Sequence, residues 1–471
     1  MPSYTPQEWV TLLHERLRRQ ASVAARWSAY YEGRQPLSYM APELVKELGE
    51  RIRPVVLNWP RLVVDSLEER LDVEGFRYGT DAAADARLWE WWQANDMDEQ
   101  SQQGHVEALA AGQSFVIVGA ADDDAGAPVI TVESAEQVTA DIDPRTREVR
   151  AALKCWSDPV EERDYATLYL PDQTVWLSRP RTATDPTSTT ATAAGGRWEV
   201  TQTDEHRLGE VPVVPLVNRP RLLSPLGVSE LVDVVPLSDA ACKVATDMMV
   251  SAEYHAMPRR WVVGMGPDDF TDAEGRPVSE WSKVAGRIWA TALQPSEVAM
   301  GQFAEADLSN FHNTINALAA LVASVAGLPS DFLGLTTQNP PSAEARLAGM
   351  ERLVKRAERR QRAFGGTWET VMRRCLLVMD GEAPQESRGL ATVWRDASTP
   401  TVAAKADAAV KLFGAGITTR RQAREDVGYS ASQIARMEVE DDNAVSRVLA
   451  GDLSSLMGPK PTPAAPDAVT G

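Results

Sequence analysis

The residues of this 471-residue chain that could carry chemistry are few and scattered. Three consecutive carboxylates, Asp122 to Asp124, lie between two predicted strands, and Asp141 and Asp143 lie at the end of another. Clustered carboxylates can bind a divalent cation, so a metal-dependent nuclease or hydrolase remains one alternative function. Gly126 close to the first group favours a solvated turn, and we interpret the second group in the same way.

No other motif indicates catalysis. The sequence contains no Gly-x-x-x-x-Gly-Lys-Ser/Thr loop, no His-Glu-x-x-His zinc motif and no Gly-x-Ser-x-Gly elbow. Neither the cysteines nor the histidines have the spacing of a disulfide framework or a metal site, and histidines within predicted helices fit structural roles. We therefore predict no catalytic residue, no cofactor and no metal. The cysteines of the chain are Cys155, Cys242 and Cys375, and its histidines are His14, His105, His206, His255 and His312.

One predicted helix concentrates positive charge. Between residues 343 and 362, seven basic side chains are accompanied by only three glutamates. Such a helix can contact DNA phosphates, form ion pairs with acidic neighbouring subunits, or be a solvated surface. A monomeric DNA-binding protein is thus a further alternative. The basic residues are Arg346, Arg352, Lys355, Arg356, Arg359, Arg360 and Arg362.

The chain as a whole is acidic, with 67 aspartates and glutamates against 48 lysines and arginines, a net charge of −19. A protein that grips DNA over a broad surface is basic, whereas an acidic surface lets nucleic acid slide past. Solubility is the simpler explanation of the same charge. The sequence has no signal-peptide pattern at its N-terminus and no run of 18 apolar residues, so we expect a cytoplasmic or particle-bound protein without a membrane partner.

The hydrophobic patterns predict an α+β, mainly helical chain. Strand patterns fill residues 114–217, and helices precede and follow them. The first predicted helix begins at a capping box of Thr5 and Glu8, and others begin at Pro42 and Asn58. A further helix surrounds Trp89 to Trp92, and another covers Glu99 to Ala111 and ends at Gly112. A helix over Gly227 to Ala256 is followed by two short strands, Arg260 to Gly264 and Arg287 to Leu293.

The longest apolar stripes lie on helices predicted over Glu305 to Gly327 and Ser342 to Asp380, the second with a kink at Gly365-Gly366. The loop Leu328 to Pro341 joins them. We expect one copy to leave both stripes uncovered, which predicts a homo-oligomer. The stripes hold Leu308, Phe311, Ile315, Leu318, Val322 and Val325, then Leu347, Met350, Val354, Ala357, Gln361, Phe364, Trp368, Val371, Cys375 and Val378.

The order of these elements resembles a tailed-bacteriophage portal protein. Tyr30-Tyr31-Glu32-Gly33, then Asn58-Trp59-Pro60-Arg61 continuing to Asp65, are similar to the N-terminal part of siphophage-type portal proteins from phages of actinobacteria. Trp92 to Asp98 is similar as well, and so is the order of helix, insert and helix–loop–helix after Pro236. The resemblance covers about residues 5–450 and rests on the ordered set of segments.

The resemblance implies a ring, usually of twelve subunits, at one capsid vertex of the virion, assembled in the cytoplasm of a host bacterium. Its modules would be a wing (1–225 and 342–398), stem helices (226–256 and 304–327), a clip (257–303), a tunnel loop (328–341), a crown (399–452) and a disordered tail (453–471). The loop residues Thr336, Thr337, Gln338 and Asn339 would line a channel for double-stranded DNA, without sequence specificity.

The resemblance also implies partners. The clip would bind the terminase large subunit and later the head–tail adaptor, and the ring would contact the major capsid or scaffolding protein. The chain carries no nucleotide-binding motif, so the energy for DNA movement would come from the terminase. The candidate clip interface residues are Trp261, Asp268, Asp269, Trp281 and Lys283.

Overall fold

The structure is a computed structural model. It describes residues 4–36, 55–79, 84–121, 126–181, 190–191, 196–222, 226–255, 260–263, 299–302, 308–335, 342–398, 402–429 and 433–443. The chain divides into two units, Met1–Ala397 and Ser398–Gly471. The first unit holds all the described strands and the long helices, which confirms the predicted α+β class.

The first unit contains seven described helices and twelve strands. The helices are α1 (Pro6–Tyr31), α2 (Trp59–Glu68), α3 (Ala86–Ala94), α4 (Met97–Ala111), α5 (Val235–His255), α6 (Ser309–Ala326) and α7 (Ala343–Asp380). The strands are β1 (Val73–Tyr78), β2 (Gln113–Gly119), β3 (Val129–Ser134), β4 (Val138–Ile142), β5 (Val149–Asp158), β6 (Arg163–Tyr169), β7 (Gln173–Pro180), β8 (Glu199–Glu205), β9 (Val213–Val217), β10 (Arg260–Val263), β11 (Ala299–Gln302) and β12 (Leu390–Trp394).

All described strand pairs are antiparallel. The strands form sheets of order β4-β5-β6-β7-β8, β3-β2-β9, β1-β12 and β10-β11. The strands predicted over residues 114–217 are confirmed. Strand β1 was not predicted, because Phe76 is its only large apolar side chain that is fully buried and its partner β12 lies more than 300 residues later.

Helix α1 joins the parts of this unit. It begins at the predicted capping box, in which Thr5 and Glu8 bond each other's backbone amides. Its first turns bury Val10, Leu13 and Leu17 against the five-stranded sheet. Ala24 packs in a second apolar cluster with β2 and β4, and Tyr30 belongs to a third, which is the largest.

The largest cluster covers the apolar stripe of α7. Phe364, Trp368, Val371 and Cys375 are buried among residues of α2, α3, α4 and the β3-β2-β9 sheet. The expectation that one copy cannot bury this stripe is therefore wrong for these residues, because partners distant in sequence pack over them, whereas Met350, Val354 and Val378 remain half-buried. The helix is continuous across Gly365-Gly366, so the predicted kink does not interrupt its hydrogen-bonded backbone.

The stripe of α6 is covered less completely. Val322 is buried and Val325 is 45 % exposed, while the four stripe residues from Leu308 to Leu318 are half-buried. Helix α6 packs against α5. The helix predicted from Gly227 begins only at Val235, since residues 226–234 form turns and irregular backbone.

The second unit is helical in its described part. It contains α8 (Val402–Gly414), α9 (Arg420–Val427) and a third helix, α10, over residues 433–443. Arg424 of α9 binds Asp441 of α10 at 2.7 Å, and Arg420 binds the same carboxylate at 3.1 Å. Several predictions lie outside the described residues: the helix from Pro42 to Ile52, the strand from Arg287 to Leu293, and the tail after residue 453.

Candidate functional site

Many of the predicted interface residues lie outside the described part of the chain. These are the loop residues Thr336 to Asn339 and the insert residues Asp268, Asp269, Trp281 and Lys283. Trp261 lies on strand β10, which pairs with β11. Helix α7 includes Arg346, and the contacts described for the predicted basic helix begin at Arg352.

Two of the predicted basic residues bind a carboxylate of their own chain. Arg356 Nη2 lies 2.6 Å from Glu230 Oε2, and Arg360 binds Glu230 Oε1 through Nη2 and through Nε at 3.2 Å. Arg219, after β9, lies 3.7 Å from the same carboxylate. A single glutamate thus serves three guanidinium groups, and Arg356 and Arg360 are committed to an intrachain contact.

The backbone around Glu230 explains why this side chain points into the protein. Asn218 N–H donates to the carbonyl of Gly112 at the end of α4, and Val228 N–H donates to the carbonyl of Asn218, both at 2.9 Å. Gly227 lies at this crossing with φ of +79°, where a Cβ would stand 2.2 Å from the Gly112 oxygen. Only glycine fits such a close approach in the left-handed region.

The next bonds of this segment fix Glu230 itself. Its N–H donates to the carbonyl of Leu109 in α4 at 2.9 Å. The amide of Asn218 donates to its Oε1 at 3.1 Å. The Glu230 side chain is only 1 % exposed, and it is held by Asn218 on one side and by the arginines of α7 on the other.

Opposing effects act on the ionisation of this cluster. Burial by itself would raise the pKa of Glu230, but the charges of Arg360 and Arg356 outweigh burial and lower that pKa. Burial lowers the pKa of Arg356 while Glu230 acts to raise it. A guanidinium remains protonated in either direction, so the cluster is an ionised carboxylate surrounded by cations.

A cavity of about 320 Å³ opens beside this cluster. Helix α7 supplies Arg352 and Arg359 to its wall, in addition to the two arginines on Glu230. Arg352 Nη1 donates to the carbonyl of Ser324 in the last turn of α6 at 2.8 Å, and its side chain lies against Gly327. The full lining is Arg219, Glu230, Asp233, Val234, Val325, Ala326, Arg352, Arg356, Arg359 and Arg360.

Two other residues of the predicted basic segment, Lys355 and Arg362, face solvent. Lys355 pairs with Glu351 one turn earlier, and Arg362 lies 3.9 Å from Glu358. Exposed pairs of this kind contribute little to stability. The basic residues between Arg352 and Arg362 are therefore of two kinds, those that line the cavity and those on the solvated side.

The segment after α6 leads directly from this site. Gly327 ends the helix in the left-handed conformation, Leu328 is buried, and Ser330–Leu333 forms a 3₁₀ turn closed by Gly334. The carboxyl end of α6 and the start of the predicted tunnel loop are thus anchored next to the arginine cavity.

The alternative metal sites are not supported where the structure describes them. Asp141 binds Arg16 at 2.8 Å and also Arg150. Asp143 accepts the backbone N–H of Arg145 at 2.8 Å, as in the predicted turn. Asp122 to Asp124 lie outside the described residues. Among the residues that are described, no group of three or more His, Cys, Asp or Glu side chains could hold a metal ion.

His105 and the three cysteines have structural surroundings. His105 is fully buried, stacks on Phe364 and accepts the indole N–H of Trp368 at 3.0 Å through Nε2. Burial lowers its pKa to about 3, so it is a neutral core histidine. The three cysteines are buried and form no disulfide with one another. Within the described chain, no helix has the length and apolar character needed to cross a bilayer.

Sequence reasoning missed Glu230 and Arg219. A signal did exist, because Glu230 lies in an apolar segment with Leu231, Val234 and Val235, and an acidic residue in such a segment needs a partner when buried. The identity of that partner, more than 120 residues away, was not encoded locally.

Comparisons with known proteins match nearly the whole chain. Residues 12–447 match the family model described as phage portal protein, SPP1 Gp6-like. A portal protein of Mycobacterium phage L5 is 35 % identical over 446 residues, which cover 92 % of this chain and 88 % of that protein. A portal protein of Mycobacterium phage D29 is 37 % identical over 417 residues, covering 86 % and 82 %.

Two solved structures show a weaker similarity. One is the neck of an empty GTA particle computed with C6 symmetry, at 12 % identity and a TM-score of 0.47, covering 78 % of this chain and 88 % of that chain. The other is the neck of a native GTA particle computed with C12 symmetry, at 12 % identity and a TM-score of 0.41, covering 83 % and 94 %. Scores at this level support no statement about assembly.

Proposed function

Because this chain belongs to the SPP1 Gp6-like family of phage portal proteins, we propose that its copies close into a ring that carries double-stranded DNA into and out of a phage capsid. The observation that carries the proposal is the family match over residues 12–447. The two mycobacteriophage relatives, at 35 % and 37 % identity over most of the chain, agree with it.

Family membership makes the chain a structural component of the virion, and the resemblance to portal proteins of actinobacterial phages is confirmed. The family's role is structural and not enzymatic. The nuclease and monomeric DNA-binding alternatives are not favoured, and we propose that the chain has no catalytic activity and is assembled in the cytoplasm of its host.

We assign the stem of the proposed ring to α5 and α6. The two helices pack against each other, and strands β10 and β11 pair between them in sequence. Each helix still exposes apolar side chains: Met249 of α5 is 47 % exposed, and Leu321 and Val325 of α6 are 51 % and 45 % exposed. Contact with a neighbouring copy would remove this surface from water, which favours a closed ring over a monomer.

The wing would comprise residues 1–225 and 342–398. Its support is the large apolar cluster, which joins α2, α3 and α4 to the C-terminal half of α7 within one copy. A crown from residue 399 agrees with the division of the chain between Ala397 and Ser398. Ring formation would then depend on surfaces that remain exposed in one copy, since the stripe of α7 is already covered.

The tunnel loop would be the segment 328–341. Its first residues are anchored by the buried Leu328 and the 3₁₀ turn that ends at Gly334. Uncharged Thr336 to Asn339 would then touch passing DNA without a strong electrostatic attraction. We assign terminase and head–tail adaptor binding to the clip, residues 257–303, and contact with the capsid or scaffolding protein to the outside of the ring.

Electron microscopy of the purified protein tests ring formation. We expect rings with a central hole, with twelve subunits as the proposed number. A protein that remains monomeric at micromolar concentration in low and moderate salt would contradict the proposal. A monomer that cuts DNA in the presence of Mg²⁺ would favour the nuclease alternative.

Deletion of Thr336 to Pro340 tests the loop assignment. We expect rings to assemble normally, because the deleted residues follow the anchored 3₁₀ turn, and capsids made with them to contain little DNA. Full capsids from this variant would contradict the assignment. The corresponding test of the clip is substitution of the polar residues Asp268, Asp269 and Lys283, which should weaken capture of terminase and adaptor while leaving rings intact.

A further inference from the structure

The cavity beside Glu230 has an unbalanced charge. Five guanidinium groups line it against two carboxylates, Glu230 and Asp233, an excess of three positive charges. The chain as a whole carries −19, so this concentration of arginine runs against the overall composition. Clustered like charges are costly unless an anion lies among them.

The hydrogen bonds of the cavity are also incomplete. Arg356 Nη1 is buried without a hydrogen-bond partner, and a buried donor left unpaired carries a desolvation cost. Arg352 and Arg359 form no ion pair with a carboxylate in the part of the chain that the structure describes, although Arg352 donates to Ser324. The available donors come from a single face of α7, one and two turns apart.

We propose that this arginine cavity binds a phosphate group. The guanidinium fork matches phosphate oxygens in pairs, which is why arginine predominates at phosphate sites. The cavity volume of about 320 Å³ is at the small end of ligand sites, suited to a compact anion with a few waters. The site lies within one copy and does not depend on ring formation.

Charge favours phosphate over a carboxylate from a second copy. A carboxylate brings one negative charge and would leave most of the excess uncompensated. A phosphate monoester or inorganic phosphate carries about −1.5 to −2 at pH 7 and offers three or more acceptor oxygens. A phosphodiester of the DNA backbone carries only one negative charge, so the charge balance favours inorganic phosphate or a phosphate monoester, and the experiment distinguishes these from the DNA backbone.

The test is calorimetric titration of the full-length protein with inorganic phosphate at constant ionic strength. We expect saturable binding with a dissociation constant on the order of 0.1–1 mM. Arg352 and Arg359 line the cavity but do not bind Glu230, so the double variant R352A/R359A should fold and bind phosphate about tenfold more weakly. The matched control is K355A/R362A, which removes two charges from the solvated side of the same helix and should bind as the wild type does.

Competition identifies the source of the phosphate. The competitor is a 20-base-pair duplex without terminal phosphates. If the duplex displaces inorganic phosphate, the site exists and the DNA backbone is its ligand. If the duplex leaves phosphate binding unchanged, the site exists and free phosphate is its ligand. Absence of saturable binding by the wild type up to 20 mM overturns the proposal, as does an unchanged affinity of R352A/R359A. Loss of oligomerisation in that variant, with no phosphate binding by the wild type, would instead identify a carboxylate of a second copy.

Discussion

Replacing Glu230 by glutamine removes the central charge of the arginine cluster at nearly constant shape. The carboxylate is 1 % exposed and binds Arg356 and Arg360, whose side chains are 18 % and 11 % exposed. Glutamine keeps an acceptor for Asn218 but leaves two largely buried guanidiniums without a counter-ion. Breaking a buried ion pair by removing one partner costs about 3–5 kcal/mol, and Arg219, at 41 % exposed, adds at most about 1 kcal/mol.

Urea unfolding at pH 7 and fixed protein concentration measures this effect. We expect E230Q to lose about 3–5 kcal/mol of unfolding free energy. Glu358→Gln is the matched control on α7, since its carboxylate is 3.9 Å from Arg362 and exposed, and it should change stability by less than about 0.5 kcal/mol. A loss below about 1 kcal/mol in E230Q would refute the reasoning that the cluster is desolvated.

The pH dependence gives a second check on the same residue. Because the pKa of Glu230 is lowered in the folded state, its contribution is present above the unfolded pKa, and it is lost as pH falls through the folded pKa. E230Q should therefore lose less stability than the wild type in acid. If the two proteins lost the same unfolding free energy in acid, protonation of Glu230 would not be a cause of the acid sensitivity.

The remaining predictions concern three other positions, Gly227, His105 and Glu68. Gly227→Ala places a methyl group 2.2 Å from a backbone oxygen at φ of +79°, so it should lower the free energy of unfolding in urea by at least about 3 kcal/mol. The control Gly366→Ala adds its methyl group in open space on α7 and should be neutral or stabilising. Equal effects of the two substitutions would contradict the close approach at Gly227. Unfolded His105 takes up a proton near pH 6.5 and the folded side chain only near pH 3, so the wild type should lose about 2 kcal/mol of unfolding free energy between pH 7 and 5 through this group. His105→Gln should be less stable at pH 7 but should lack that loss. A pH dependence of stability that is the same in both proteins would argue against a neutral core histidine. Burial and nearby carboxylates raise the pKa of Glu68 to about 7, so the stability of the protein falls as pH rises from 4.5 to 7. After a discount for the partial exposure of Glu68, Glu68→Gln should stabilise the protein by about 1 kcal/mol at pH 8, and the control Glu69→Gln by less than about 0.5 kcal/mol. Equal effects of the two substitutions would count against the raised pKa.

Local sequence signals predicted the elements that depend on neighbouring residues. The capping box of Thr5 and Glu8 marked the start of α1, and Gly112 marked the end of α4. Both signals act within one helical turn, so no distant contact is needed to identify them. The strand patterns between residues 114 and 217 were also visible, because they are short runs rich in β-branched and aromatic residues that turns separate.

The ordered set of segments also identified the family, and the family match over residues 12–447 confirms it. The physical argument offered for assembly did not hold for α7, however. An apolar stripe such as that of Phe364 and Trp368 indicates that these side chains are buried, but it does not indicate whether the same copy or a neighbouring copy buries them. The cover comes from α3 and α4, through contacts such as the one between the Trp92 and Trp368 rings at 5.1 Å.

The basic residues of α7 show the same difference between what the local sequence indicates and what the fold decides. Sequence alone determined that α7 carries an excess of arginine, because composition and helical spacing are local properties. Only the tertiary structure decided that Arg356 and Arg360 bind Glu230, 126 and 130 residues away, while Lys355 and Arg362 face solvent. An ion pair depends on which charges meet in space and how much water is excluded from them, and both are properties of the folded chain.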